Sequence, residues 1–419
     1  MTVCSTAFES LGRRQAVALG CADLSIALVP HPFGLRARSE LPALALDVAA
    51  QIVKLIAQSA GVAKPSAAST ADSAGRAVIE VPADADALHR YCVEQRMSDG
   101  LPVIAPTPAL VERMLKCATR PRDEVIARIA PAYGLASVER IAANGVMAGC
   151  APQCINVLIA AVRAIAAAEF NLQGIQATTN PAAVWLIVNG PAAAALNINS
   201  AENCLGQGAM ANVTIGRALR LILQNIGGAF PGEMDHATHG QPGKISMCCA
   251  ENEAASPWGG LHLERDCAAG TSAVTAVGFS GTLNMNTHSK NAHEILRAIA
   301  DTMAHAPSND YWCGGEPWIV FSPEHAAILA AAGFSKADVK RHLWEHSKML
   351  ASRMADMDYQ RTRRTRRDEL GEITPDTLLP VTPEPRRIGI LVAGGEGTHS
   401  VYVPGFGNSR SVTREIELH

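Results

Sequence analysis

The sequence predicts an α/β protein, in which a partial βαβα N-terminal unit is followed by a large mixed α/β domain. Two observations carry that prediction. Short β-branched or aliphatic runs alternate along the chain with amphipathic stretches of helical period. Hydrophobic residues make up 48% of the chain and charged residues 18%, enough apolar material to bury a core and to exclude general disorder. At 419 residues the chain exceeds the usual size of one core, so two folded units, one dominant, are expected.

Residues 2–5 (TVCS) read as a strand, 8–19 as a helix, 24–29 as an aliphatic strand and 41–60 as a second helix. Residues 61–80 are rich in Ala, Ser and Gly and lack apolar periodicity, which predicts a linker. The division is then 1–60, a linker 61–80, and a large domain 81–419 that carries the active site. Within that domain, helices are expected at 108–118, 138–147 and 155–170, and strands at 184–189, 245–250 and 273–279. An amphipathic helix at 213–226 carries Arg217 and Arg220 on its exposed face and stops at Gly227 and Gly228. A strand at 318–321 precedes Pro323, which suits the first turn of a helix, and Ser335 is a good N-cap for a helix over 336–350. The run RTRRTRR at 361–367, followed by Pro-rich sequence, is expected as a solvated excursion. A strand at 388–392, the segment AGGEGTHS and a short strand at 401–403 return the chain to the sheet.

The 36 basic residues nearly balance the 39 acidic ones, so no global field draws the chain to nucleic acid or to an anionic membrane, and a small-molecule substrate is favoured. Apolar stretches such as 155–170 are broken by Arg163 and fall short of the roughly 20 residues of a membrane span. The N-terminus carries Glu9, Arg13 and Arg14 and lacks the order of a secretory signal, so a cytoplasmic location is expected. Eleven irregularly spaced cysteines read as free thiols in a reducing compartment. Among them Cys4, Cys21, Cys92, Cys117 and Cys313 are expected to pack as small hydrophobes.

The N-terminal passages TVCSTAFESLGRRQAVALG and LSIALVPHPFG resemble the back half of the UGSC family of bacterial proteins and selenoproteins. The large domain is similar to the one joined to it in longer family members, through NGVMAGCAPQ, QATTNPAAVWLIVNGP, ANVTIGRALRLILQNIGG, GQPGKISM, AENEAASPW and LVAGGEGTHSVYVPGFG. The family takes its name from a selenocysteine or cysteine, Gly, Ser, Cys motif, which should lie upstream of the strand at Thr2 and does not occur in this sequence. A βαβα fragment that opens on an unprotected strand leaves a sheet edge unpaired. The resemblance therefore implies a missing half. It is supplied either by upstream sequence in which a selenocysteine codon precedes an internal Met1, or by a partner chain; homo-oligomerisation is the other way to cover the edge.

Candidate chemistry lies in the large domain. Cys150, in MAGCAPQC, sits at a Gly-flanked turn ahead of the 155–170 helix, where a helix N-terminus favours thiolate, and is the expected nucleophile. Cys154 follows it one residue too late for a CxxC pair. Asp235, His236 and His239 could ligate a metal, but the run offers no further clear ligand and no metal or other cofactor is assigned. Lys244 in the same Gly-rich loop is expected to meet an anionic substrate. Cys248 and Cys249 are adjacent on a strand and point to opposite faces. Glu251 at that strand's end is a candidate general acid or base. Asn189 and Gly190, which end a buried strand, and Asn180, Asn197 and Asn199 are candidate site walls. Gly394, Gly395 and Gly397 free backbone N–H groups for an anion, and His399 on the same loop is a candidate base. Neither a Walker A loop nor a dinucleotide fingerprint is present.

These residues predict a thiol-dependent enzyme that attacks a small anionic electrophile or exchanges electrons with it, helped by a redox thiol or selenol from the missing half. A hydrolase or lyase using Cys150 with His399 is a second reading. A non-catalytic subunit that completes a split UGSC-type protein is a third.

Overall fold

The structure, a computed structural model, describes residues 1–31, 33, 36, 37, 39–59, 78–306 and 308–418. Most of the predicted linker, residues 60–77, lies outside the described residues.

The N-terminal unit forms as expected. Strand β1 (Thr2–Ser5) pairs in parallel with β2 (Ile26–Val29), and helices Glu9–Ala18 and Leu41–Ser59 follow them. The Gln51 amide fastens the second helix by bonding both the N–H and the carbonyl of Leu28, at 3.0 and 3.1 Å. That helix departs from the sequence reading in one respect. By length and composition its window Leu41–Gln58, of mean hydropathy 1.4, could cross a membrane, and none of the window is buried. Its charges, Asp47 and Lys54, interrupt the sequence without removing its apolar character.

The large unit is mixed α/β, built on two four-stranded sheets stacked between helices. Ahead of them β3 (Val125–Ile129) and β4 (Gly134–Ser137) form an antiparallel pair. The first sheet has the order β14-β7-β5-β6, from β5 (Ala183–Asn189), β6 (Cys248–Ala250), β7 (Ala273–Phe279) and, near the C-terminus, β14 (Val412–Glu415). The second has the order β12-β9-β13-β8, from β8 (Leu283–Asn286), β9 (Trp318–Phe321), β12 (Gly389–Val392) and β13 (His399–Val403). Each sheet holds one parallel pair, β5 with β6 and β9 with β12. A small antiparallel pair, β10 (Met349–Leu350) with β11 (Leu378–Leu379), lies outside both.

Side-chain alternation decides the layering. In β5, Val184, Leu186 and Val188 face helices Ile155–Ile165 and Met210–Asn225, whereas Ala183, Trp185 and Ile187 face the second sheet. In β9, Trp318 and Val320 meet that face while Ile319 and Phe321 turn to helices Ala292–Met303 and Lys336–His346. The order of layers is thus helix, sheet, sheet, helix. Strands buried on both faces read as continuous apolar runs, which is how β5, β7 and β9 appear in the sequence.

Five expectations are corrected. The 155–170 helix ends at Ile165 and gives way to a 3-10 turn at Ala168–Phe170. The strand expected over 245–250 begins at Cys248, because Pro242–Lys244 forms a 3-10 turn. The helix capped by Ser335 ends at His346, and Met349 and Leu350 enter β10; the cap itself forms, as a capping box with Asp338. The arginine run is not a solvated excursion. It lies on helix Asp356–Thr365 and its continuation, and Arg366 is buried, donating to the carbonyls of Tyr311 and Pro380 at 2.9 and 2.7 Å while Glu369 balances its charge. Nor do Arg217 and Arg220 face solvent. The segment carrying Ser98 to Pro102 covers that side of the helix, and Arg217 grips Asp99 through two hydrogen bonds of 2.8 Å.

Asp310 fastens the end of β13 to helix Asn309–Cys313. Its Oδ2 accepts from the Gly405 N–H at 3.0 Å and the Tyr402 hydroxyl at 3.2 Å. Full burial pushes this carboxyl up to about 7, and those donors only partly offset the burial. Between the unfolded value near 4 and 7 the folded state binds a proton that the unfolded state does not, so stability falls as pH rises through that window. Asp310→Asn should remove this slope, worth about 1.4 kcal/mol per pH unit. Urea unfolding at pH 5, 6 and 7 checks it; equal slopes in the two proteins would contradict the assignment.

Candidate functional site

In open α/β sheets ligands gather beyond the carboxyl ends of parallel strands. Here two such ends meet. The Asn252 N–H donates to the Val392 carbonyl at the end of β12, at 2.8 Å, and the Gly394 N–H donates to Ser200 at 2.8 Å. Asn199 in turn accepts from the Ala250 N–H at the end of β6, at 3.2 Å. Asn189, Glu251 and the glycine loop after β12 therefore belong to one region, as their positions at strand ends predict.

Glu251 lies one position beyond the Val188–Ala250 pair, opposite Asn189. Its Oε2 accepts from Asn189 Nδ2 and from the Leu261 N–H, both at 2.6 Å. Its Oε1 has no hydrogen-bond partner among the described residues and stands 3.7 Å from Lys336 Nζ. Burial is the largest influence and raises the Glu251 carboxyl above its ordinary value; Lys336 and the two donors pull it back. Glu253 accepts from Asn189 Nδ2 at 3.0 Å and from the Gly190 N–H at 2.8 Å, and lies 3.9 Å from buried His262. Gly190, at φ +80°, lets the chain turn so that this N–H meets the carboxylate.

Two residues back along β6 and on the same face, Cys249 enters the layer between the sheets. There it meets Cys204, which the sequence reading had not singled out. Both cysteines pack into that layer, and the neighbouring Cys249 thiol together with the backbone around Cys204, Leu205 and Gly394 lowers the Cys204 thiol below its ordinary value despite burial, while Cys249 is raised well above it. The N–H groups of Cys204 and Gly394 themselves donate to the carbonyls of Ala201 and Ser200, at 3.1 and 2.8 Å. The loop bearing Cys204 is framed by asparagines. Asn212 accepts from the Asn199 N–H at 2.7 Å and donates to the carbonyls of Asn199 and Cys204 at 2.9 and 3.0 Å. Asn199, expected as a site wall, serves here as part of that frame. A sequence signal existed in the polar run NINSAENC, but nothing local shows that its cysteine meets a residue 45 positions on.

Gly394 and Gly397 have φ of +106° and +146°, and a Cβ at Gly395 would fall 2.4 Å from Glu202 Cγ. Only glycine fits such positions without strain. His399, by contrast, is exposed on β13, with Nδ1 3.2 Å from Asn284 Nδ2. The buried histidine beside the second sheet is His325, on the helix Pro323–Ala331 that follows β9; it bonds Ser400 Oγ at 2.8 Å, and burial lowers its pKa.

Cys150 and Lys244 lie elsewhere. Cys150 follows the C-terminus of helix Val138–Ala148, where its N–H bonds the Gly145 carbonyl at 2.9 Å. That end of a helix disfavours a thiolate, and burial pushes Cys150 up to about 12 and Cys154 to about 11. The thiolate expected from a helix N-terminus is therefore not supported, since the turn belongs to the preceding helix. Cys248 faces these two and is raised as well, opposite to Cys249. Lys244 pairs with Asp235 at 2.6 Å beside Val184, at the opposite end of β5 from Asn189. Asp235 is thereby committed, and among the described residues no three His, Cys, Asp or Glu side chains gather to hold a metal.

Fold and site together define a mixed α/β protein with two stacked sheets and a buried cysteine pair near the strand-end junction. Residues 1–58 match the model of the UGSC family, in the region where the sequence resembles it. No curated protein and no solved structure matches the chain. The matched segment contains neither cysteine of that pair.

Gly394→Ala should cost about 1–3 kcal/mol in denaturant unfolding through its positive φ, and should raise the Cys204 pKa by disturbing the turn beside it. Gly281→Ala, where a Cβ meets open space, is the control. A Cys204 titration unchanged in Gly394→Ala would show that this turn does not set its acidity.

Proposed function

We propose that the chain is a thiol-dependent enzyme, with Cys204 as the attacking thiolate and Cys249 as its partner, acting on a small anionic electrophile. The observation that carries this reading is the packing of Cys204 and Cys249 in one buried cluster near the strand-end junction, in surroundings that lower the Cys204 thiol. Thiolate is the form that attacks. In the redox version, the Cys204 thiolate displaces a leaving group from the electrophilic atom of the substrate and bonds to that atom. The Cys249 thiolate then attacks Cys204, forming a disulfide and releasing the atom with the electron pair of the broken bond; the two thiol protons go to the leaving group, to the product or to solvent. A dithiol reductant must return the pair to its starting state. Glu251, its carboxyl raised by burial, is the proton donor of this reading, and Asn189 orients it. A cytoplasmic setting suits free thiols.

Cys150 enters this reading only as a packed core residue. Timed alkylation with iodoacetamide at pH 7, followed by peptide mass spectrometry, separates the two cysteines. Cys204 should react faster than Cys150, Cys154 and Cys248, and Cys249→Ala should slow it by removing its hydrogen-bond donor. Faster labelling of Cys150 than of Cys204 would return the nucleophile to the first position and sink this proposal. Uniformly slow labelling of all four would favour a non-catalytic subunit.

A further inference from the structure

Helix Lys336–His346 ends on a run, His342-Leu343-Trp344-Glu345-His346, that neither the cysteine pair nor the carboxylates at the strand ends use. Its spacing is H-x-x-E-H, the signature of one class of zinc peptidases. The physical basis of that spacing is helical: residues four apart stand one turn apart on one face, so their imidazoles can meet one ion. The structure satisfies this condition. The helix runs unbroken through both histidines, and their ring centroids lie 4.2 Å apart. A third imidazole comes from the facing helix, Ala292–Met303, where the His293 ring lies 6.1 Å from that of His342. Phe334 meets both of these edge to face, 5.4 Å from His293 and 6.2 Å from His342.

Two imidazoles on one tetrahedral zinc stand with centroids roughly 5 Å apart, given Zn–N bonds of about 2.1 Å. The separations of 4.2 and 6.1 Å fall on either side of that value. As the rings stand, no three donors converge on one point. The pair is therefore the preformed part, and His293 joins it by a side-chain adjustment of about 1 Å. Both helices are anchored, since Ile295, Leu296 and Ile299 of one and Val339 and Leu343 of the other are buried in the same core. The ligands are uncommitted: His293 and His346 are exposed, His342 is half-buried, and none of their ring nitrogens bonds another group among the described residues. The surroundings also suit a cation. The pair occupies the last turn of its helix, where the dipole is negative, and Glu345 is exposed beside it. Arg341 is held by Asp338, and Lys348 lies over the Trp344 ring at 4.0 Å. Arg297, one turn along from His293, opposes the ion from the other helix, so the third ligand should contribute less than the pair.

We propose that His342 and His346, completed by His293, bind one divalent transition-metal ion of the zinc type. Imidazole nitrogens suit zinc, nickel and copper. Three such ligands leave a fourth position open to water, and Glu345 is the carboxylate that the signature places next to it. The site shares no residue with the cysteine pair, and either proposal can fail without the other.

The test is isothermal titration calorimetry and thermal unfolding of the full chain, stripped with a chelator, against zinc chloride and, separately, nickel chloride. Nickel is included because thiols also take zinc, and the chain has eleven of them. A saturable nickel site and a rise in Tm with both ions are expected. His342→Ala and His346→Ala should each weaken nickel binding by about tenfold or more, and His293→Ala by a smaller factor. His346 is exposed at the helix end, so its variant keeps the proposal testable if His342→Ala does not fold. His239→Ala, in the loop with Asp235 and His236, is the control and should leave binding unchanged. No saturable binding of nickel, binding that survives both His342→Ala and His346→Ala, or binding lost in His239→Ala instead, would overturn the proposal.

Discussion

The contact on which the large unit depends is the meeting of two indoles between its sheets. Trp185 of β5 and Trp318 of β9, both fully buried, cross edge to face with ring centroids 5.9 Å apart. Neither sheet can slide without opening this contact, because an edge-to-face pair is favourable over only a narrow range of offsets. The neighbouring strand is cut to fit: a Cβ at Gly389 would fall 2.1 Å from the Trp318 ring. With the sheets held there, the carboxyl ends of both parallel pairs come to one edge, and the Asn252 to Val392 and Gly394 to Ser200 hydrogen bonds close the junction.

From that arrangement the asymmetry of the cysteines follows. Cys248 and Cys249 are neighbours in sequence and separated by a sheet in space. Cys248 joins Cys150 and Cys154 among apolar helices, where burial alone acts and every thiol is raised. Cys249 joins Cys204 in the layer between the sheets, where the Cys249 thiol and the backbone around Cys204, Leu205 and Gly394 act as well. Burial is common to both sets and cannot distinguish them; those surroundings do.

The sequence made the strands legible because alternation and apolar runs are local. The bounds of β1, β7 and β9 match those read from the chain, and the caps at Ser335 and Pro323 form where the residue types place them. Glu251, Asn189 and the glycine loop were also readable, since polar residues ending buried strands point to a strand-end site. Cys204 was not, because its acidity depends on Gly394, nearly two hundred residues later, and on Cys249 across the loop. Cys150 misled for a related reason. A Gly-flanked cysteine between two helices can belong to the end of the first or the start of the second, and only the bond from its N–H to Gly145 decides. Arg217, Arg220 and Arg366 show the same limit: helical periodicity gives the face a side chain occupies, not whether another segment covers that face.

The two ends of β5 make opposite electrostatic demands on one strand. At the carboxyl end, Glu251, Glu253 and Glu264 outnumber Lys336 and Lys340, with His262 alongside, and burial, with a smaller push from Glu253, raises Glu251 toward its neutral form. At the amino end, Arg217, Arg220 and Lys244 outnumber Asp99 and Asp235; the arginines stay charged, and the relief falls to Lys244, which burial pushes toward its neutral form. A buried imbalance that protonation can cancel need not imply a ligand.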